Sequence, residues 1–153
     1  WRGGTKRQEV EFVDSGEVPL YKEIALGAFA HAVRRWRGTI LVLQRNPASG
    51  ELESFRKTCA REAHDLSALN EDLVDIAAVL SLVDEYVGVS NTNMHIRASL
   101  GRTARVLVPF PPEFRWMHDG EASPWFPGFT LYRQTASRDW NAALQRLSLD
   151  LSL

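Results

Sequence analysis

The sequence predicts a three-layer α/β fold built on a doubly wound, mostly parallel sheet, and three observations carry that prediction. Short apolar runs alternate along the chain with longer stretches whose apolar residues recur at three- and four-residue steps, the order expected of strands and covering helices. Thr39 to Leu43 (Thr-Ile-Leu-Val-Leu) is continuously apolar and β-branched, as a strand covered on both faces of a parallel sheet should be. Tyr86 to Val89 then passes straight into Ser90, Asn91, Thr92 and Asn93, all good helix caps, so a strand gives way to a helix with no loop between them.

Taken in order, Trp1-Arg-Gly-Gly reads as the end of a strand turning into a loop, followed by Thr5, Lys6 and Arg7, and the 153 residues are expected to be one domain that is a fragment of a longer protein. Pro19 suits the first turn of a helix, where a missing N–H costs nothing. From Tyr21 to Trp36 the set Ile24, Ala25, Ala28, Phe29, Ala32, Val33 and Trp36 makes one core face, with His31, Arg34, Arg35 and Arg37 solvated and Gly38 as terminator. After the 39–43 strand, Gln44, Arg45 and Asn46 fall at its carboxyl end, and Pro47 to Gly50 is a loop. Glu51 to Glu62 is a second helix with Leu52, Phe55 and Cys59 inward. Ala63 to Leu66 reads as a short edge strand, Ser67 to Asn70 as a loop, and Glu71 to Leu82 as a third helix capped by Asn70. In the Tyr86 to Gly101 unit, Met94, Ala98 and Leu100 supply an apolar stripe and Gly101 stands where a helix takes a left-handed terminator. Arg105 to Val108 is a strand. Pro109 to Gly128 holds five prolines among Phe110, Phe114, Trp116, Trp125 and Phe126, and such a loop is either functional or packed over the core as a lid. Thr130 to Arg133 is the last strand and Ala136 to Leu149 the closing helix.

Composition narrows the function. Hydrophobic residues make up 44% and charged residues 24%, an ordinary globular balance large enough to bury a core. With 18 basic against 19 acidic residues the net charge is -1, which gives no electrostatic case for nucleic acid or an anionic membrane. No apolar run approaches the roughly 20 residues that span a bilayer. A single cysteine, Cys59, forms no internal disulfide, and a reducing, cytoplasmic setting is expected. His31, His64, His95 and His118 are scattered, so no metal site is expected, and no Gly-x-Ser-x-Gly elbow is present for a serine triad. The Walker loop and the Gly-x-Gly-x-x-Gly dinucleotide fingerprint are both missing, and no cofactor is expected.

Four polar segments instead follow strands: Gly3, Gly4 and Lys6; Gln44 and Arg45; Leu69, Asn70 and Asp72; and Ser90, Asn91, Thr92, Asn93 and His95. In a parallel sheet their strand ends share one edge, where open α/β sheets bind nucleotides, and a capped helix start there presents free N–H groups to phosphate. Each segment taken alone is also compatible with an ordinary ligand-free βα unit.

The segment Asp84 to Phe110 resembles the carboxyl-terminal, donor-binding half of heptosyltransferase-like glycosyltransferases of family nine, especially those attached to tetratricopeptide repeats. The likeness extends to Trp1-Arg-Gly-Gly, to His64-Asp-Leu-Ser-Ala-Leu-Asn-Glu-Asp-Leu, to Trp116, to Ser123-Pro-Trp-Phe-Pro and to Leu131-Tyr-Arg-Gln. It implies a Rossmann-like domain, one half of a GT-B fold, with a nucleotide-diphosphate sugar across the crevice. The diphosphate would meet Gly3, Gly4 and the helix start near Asn91 and Thr92, His95 would face the ribose or phosphate, and Lys6 would offset charge on the departing diphosphate. The family pattern places Asp-Thr where Ser90-Asn91 stand here, so an acidic group is absent, and Arg97 replaces a small residue as either a phosphate contact or a solvated side chain. The acceptor-binding half and its general base are not in this chain, which alone is not expected to be active; the acceptor would be a protein or a glycan, and exposed edges would favour a homodimer in a crystal. The alternative expectation is a non-catalytic interaction module of a repeat-containing protein, with the aromatic loop as its contact surface.

Overall fold

The computed structural model describes residues 1–3 and 22–152. The predicted start of the first helix at Pro19 and Tyr21, and the site residues Gly4 and Lys6, lie outside the described residues. The elements are β1 (Arg2–Gly3), β2 (Lys22–Glu23), α1 (Leu26–Val33), β3 (Ile40–Val42), α2 (Glu51–Cys59), β4 (Ala63–Asp65), α3 (Leu73–Leu82), β5 (Val87–Val89), α4 (Thr92–Ser99), β6 (Arg105–Val108), β7 (Thr130–Arg133) and α5 (Asn141–Asp150). From β3 to β6 strands and helices alternate as the sequence predicts, whereas Lys22–Glu23 pair with Arg2–Gly3 as β2 where the first helix is expected, so that helix begins only at Leu26; the fold is α/β with three layers, compatible with a Rossmann-like arrangement.

The strands form two parallel ribbons. In one, β3 pairs with β4 in the register Leu41 to His64; in the other, β5, β6 and β7 pair in that order, with Val106 opposite Gly88 and Leu131. β1 and β2 make a short antiparallel pair. Each face of the strands carries its own core. On one side α1, α2 and α5 close over Phe29, Ala30, Phe55, Leu107 and Leu147; on the other, α3, α4 and the aromatic loop enclose Ile76, Leu80, Met94, Val106 and Trp116. Among the described residues no helix is long and apolar enough to cross a membrane.

Local chemistry accounts for where several elements differ from expectation. The first helix ends at Val33, with Trp36 turning back to donate to the Val33 carbonyl, so Gly38 lies beyond it. α2 stops at Cys59 because Ala60 takes a left-handed conformation (φ 53°). The third helix begins at Leu73, two residues later than expected, because Ser67–Glu71 form a 3₁₀ turn and Asp72, not Asn70, caps it: the Asp72 carboxylate accepts from Val74 N and Asp75 N at 2.7 and 3.1 Å. α4 is capped by Asn91, whose Oδ1 accepts from Met94 N, and is closed by Gly101 at φ 67°. Met94 is buried as expected, but Leu100 is exposed and contributes nothing to the stripe.

Arg97 is neither a phosphate contact nor a solvated side chain. It is 1% exposed, and its guanidinium donates to the carbonyls of Leu80, Val83, Asp84 and Thr103. Three of these acceptors lie at the end of α3 and the turn after it, so Arg97 satisfies carbonyls that a helix terminus leaves unpaired. Of the two expectations for the aromatic loop, the structure shows packing over the core, with two of its aromatic side chains left at the surface. Trp116 stacks on Phe126 at 4.6 Å and is fully buried, whereas Phe114 and Trp125 meet edge to face at 5.8 Å and stay exposed.

Candidate functional site

The site forms where the carboxyl ends of β3 and β5 come together. Asn70, in the 3₁₀ turn after β4, donates to the Leu43 carbonyl at 3.1 Å and to the Ser67 carbonyl at 2.9 Å, and its Oδ1 accepts from Asn93 of α4 at 3.1 Å. One side-chain amide thus ties the end of β3 to the start of α4. Between them sits β1. The Gln44 side chain serves as an extra peptide group: its Oε1 accepts from the Trp1 and Arg2 nitrogens, each at 3.1 Å, and its Nε2 donates to the Arg2 carbonyl at 3.3 Å. On the other flank Gly3 approaches the β5–α4 turn so closely that a methyl group there would lie 3.2 Å from the Ser90 carbonyl oxygen.

Around that turn lies a row of charged groups. The Ser90 hydroxyl, 1% exposed, donates to the Glu113 carboxylate at 2.6 Å, and Glu113 also accepts from Lys22 at 3.0 Å and Arg115 at 3.3 Å. Arg115 lies 3.3 Å from His95 Nε2, and the His95 ring meets Phe126 edge-on at 5.3 Å. Burial, the largest single influence on Glu113, pushes its pKa up; the hydrogen bonds from Ser90 and Lys22 and the nearby cations outweigh it, and the carboxyl titrates below its ordinary value. His95 is held below its ordinary value, first by partial burial and then by the positive charge of Arg115. Two cations against one carboxylate leave the row net positive beside the start of α4, a combination that attracts an anion.

A cavity of about 1120 Å³ opens at this edge. Every described residue of the predicted site lines it except Leu69 and Asp72. Leu69 is half-buried in the 3₁₀ turn and accepts a backbone bond from Asp72, whose carboxylate is used as the α3 cap. Within the cavity the predicted residues divide by what their side chains already do. Gln44 and Asn70 are spent on the backbone, Asn93 on Asn70, and Arg45 faces solvent in an ion pair with Glu71 at 3.7 Å. Around the turn, Ser90 is committed to Glu113 and Asn91 to the α4 cap and the Tyr86 hydroxyl, while Gly3, His95 and Thr92, exposed at the first position of α4, complete the lining.

Lys22, Glu113 and Arg115 are site residues that the sequence reading missed. The available signal was the run Glu113-Phe-Arg-Trp after Pro111-Pro112, in which charges alternate with aromatics. Trp116, at the end of that run, is buried, and the 3₁₀ turn Phe114–Trp116 sets Arg115 against His95. Comparison with family models, with curated proteins and with solved structures finds no match.

Proposed function

We propose that this chain is the nucleotide-sugar donor-binding domain of a glycosyltransferase that transfers the sugar to a protein or glycan acceptor. The observation that carries the reading is the convergence, at one carboxyl edge, of the α4 start, the close approach of Gly3, and the cations Lys22 and Arg115, with His95 beside Arg115. A diphosphate seated there would accept from the free amides at the start of α4 and lie beside Arg115 and Lys22. Those charges would stabilise the diphosphate as it departs, the step at which negative charge develops. Glu113 orients the row rather than reacting, since Ser90, Lys22 and Arg115 all converge on it. The base that activates the acceptor hydroxyl belongs, in this reading, to the acceptor-binding half.

Calorimetric titration with UDP, ADP and GDP sugars tests this directly. Binding of one of the three at millimolar concentration or tighter, lost in Arg115→Ala, is the expected result, and no heat from any of them overturns it. The exposed Phe114–Trp125 pair favours a second reading, a non-catalytic interaction module that docks a partner on the aromatic loop. Turnover of a nucleotide sugar by a protein containing this domain would exclude that second reading.

A further inference from the structure

Two aromatic side chains stand out from the loop that follows β6. Phe114 is 71% exposed and Trp125 62% exposed, although Trp116, Phe126 and Phe129 of the same loop are buried. The two exposed rings meet at 90° with centroids 5.8 Å apart, so they form a corner in which one ring is the floor and the other the wall. A buried hydroxyl fixes that corner. Ser123, 4% exposed, donates to the Arg115 carbonyl at 2.5 Å and accepts from the Trp125 N–H at 3.1 Å, which joins the backbone beside Phe114 to the backbone that carries Trp125. Trp116 and Phe126, the neighbours of Arg115 and Trp125 in the chain, stack on each other at 4.6 Å in the core. The corner is held in shape by the loop itself, and a ligand seated in it has little backbone left to order.

We propose that this corner is a sugar subsite, the seat of one pyranose ring beside the candidate anion site. The choice of a sugar rests on the glycosyl-transfer reading above; the fit rests on the geometry. A pyranose carries C–H groups on one face and hydroxyls around its rim. The C–H face is apolar and slightly positive, which suits the negative face of an aromatic ring, while the rim needs donors and acceptors. Both are present. The Arg115 guanidinium lies 5.2 Å from the Phe114 centroid and 3.3 Å from the Glu113 carboxylate, so a planar donor and an acceptor stand at the edge of the corner. The same guanidinium is 3.3 Å from His95 Nε2, and Arg115 and His95 both line the cavity. A phosphate beside Arg115 is therefore one side chain away from Phe114, within reach of a ring bonded to that phosphate. A sugar residue of a glycan reaches the same corner from solvent, and the chemistry that recognises it is the same.

Calorimetric titration separates the two sources. One arm compares UDP, ADP and GDP with their glucose conjugates, and the other uses the free trisaccharides maltotriose and chitotriose. The expected result is a gain of about threefold or more from the sugar in the first arm, or millimolar binding of a trisaccharide in the second. Trp125→Ala removes an exposed ring and leaves the loop core in place. It is expected to abolish that gain or that binding while bare nucleotide affinity stays as in the parent chain, and Trp125→Phe is expected to keep part of it. Loss in the first arm identifies the sugar of the donor as the occupant, and loss in the second a glycan. Equal sugar affinities in the parent chain and Trp125→Ala overturn the proposal. Weaker binding of the bare nucleotides by Trp125→Ala overturns it too, because a base would then be stacked on the ring. Trisaccharide binding with no nucleotide binding removes the donor reading and leaves the sugar subsite standing, whereas nucleotide binding with no contribution from sugar in either arm does the reverse.

Discussion

The Ser90 hydroxyl donates to the Glu113 carboxylate across 2.6 Å, joining the β5–α4 turn to a residue 23 positions further along the chain. A carboxylate from the aromatic loop is thus held against the first residue after β5. Glu113 titrates below its ordinary value in the folded protein, so the stability it contributes is present above an unfolded pKa near 4.5 and is lost as pH falls through the lower folded value. Glu113→Gln is expected to cost about 1–3 kcal/mol in urea unfolding at pH 7, and the difference from the parent chain should shrink below pH 4.5. A cost that is the same at pH 7 and pH 3 would show that the charge on Glu113 is irrelevant to the fold.

His95 gives a prediction with the opposite consequence for ligand and fold. Its folded pKa lies below 6.5, so the folded chain resists protonation that the unfolded chain accepts, and stability from this group declines as pH drops through 6.5. An anion beside the ring favours the imidazolium and reverses that bias. If the proposed donor site holds, affinity for whichever of the UDP, ADP or GDP sugars binds, measured by calorimetry, should therefore rise by about threefold to tenfold from pH 8 to pH 6, and His95→Ala should flatten the dependence.

How far the sequence was legible follows from the range of the interactions involved. The helical periods and the Tyr86 to Gly101 unit depend on neighbours a few residues apart, and β6 and β7 fall where the residues predict them. Asn91 was legible as a cap for the same reason. Glu113 and Lys22 reach Ser90 only through tertiary packing, so no spacing rule announces them. Asn70 and Gln44 were correctly placed at the strand ends, yet their amides are committed to the backbone, a distinction that residue type does not carry. Arg97 was misread because arginine on a short helix is ordinarily solvated, and here a cluster of orphaned carbonyls 13 to 17 positions earlier captures it.

Arg97 supplies the third prediction. Removing its guanidinium leaves the carbonyls of Leu80, Val83, Asp84 and Thr103 without their shared donor. Arg97→Ala is expected to destabilise the domain by at least about 3 kcal/mol in urea unfolding, and Arg97→Lys to recover only part of it, since an ammonium does not reproduce the planar fork. A variant with parent-like stability and reduced nucleotide affinity would instead return Arg97 to the ligand.

The two tryptophans of the aromatic loop separate its structural role from its surface role. Trp116 stacks on Phe126 and Phe129, and the adjoining Arg115 carbonyl is held by the Ser123 hydroxyl at 2.5 Å, so the loop core also anchors the cation beside His95. Trp116→Ala should cost about 3–5 kcal/mol and, in the donor-binding reading, weaken nucleotide binding, because Arg115 loses its fixed position. Trp125 is 62% exposed and touches Phe114 edge-on, so Trp125→Ala should change stability by less than about 0.5 kcal/mol. In the donor-binding reading Trp125→Ala leaves nucleotide affinity unchanged as well. Were the loop instead a docking surface of a non-catalytic module, that same variant would abolish partner binding while Arg115→Ala would leave it intact, and measuring both variants against nucleotide and partner separates the two.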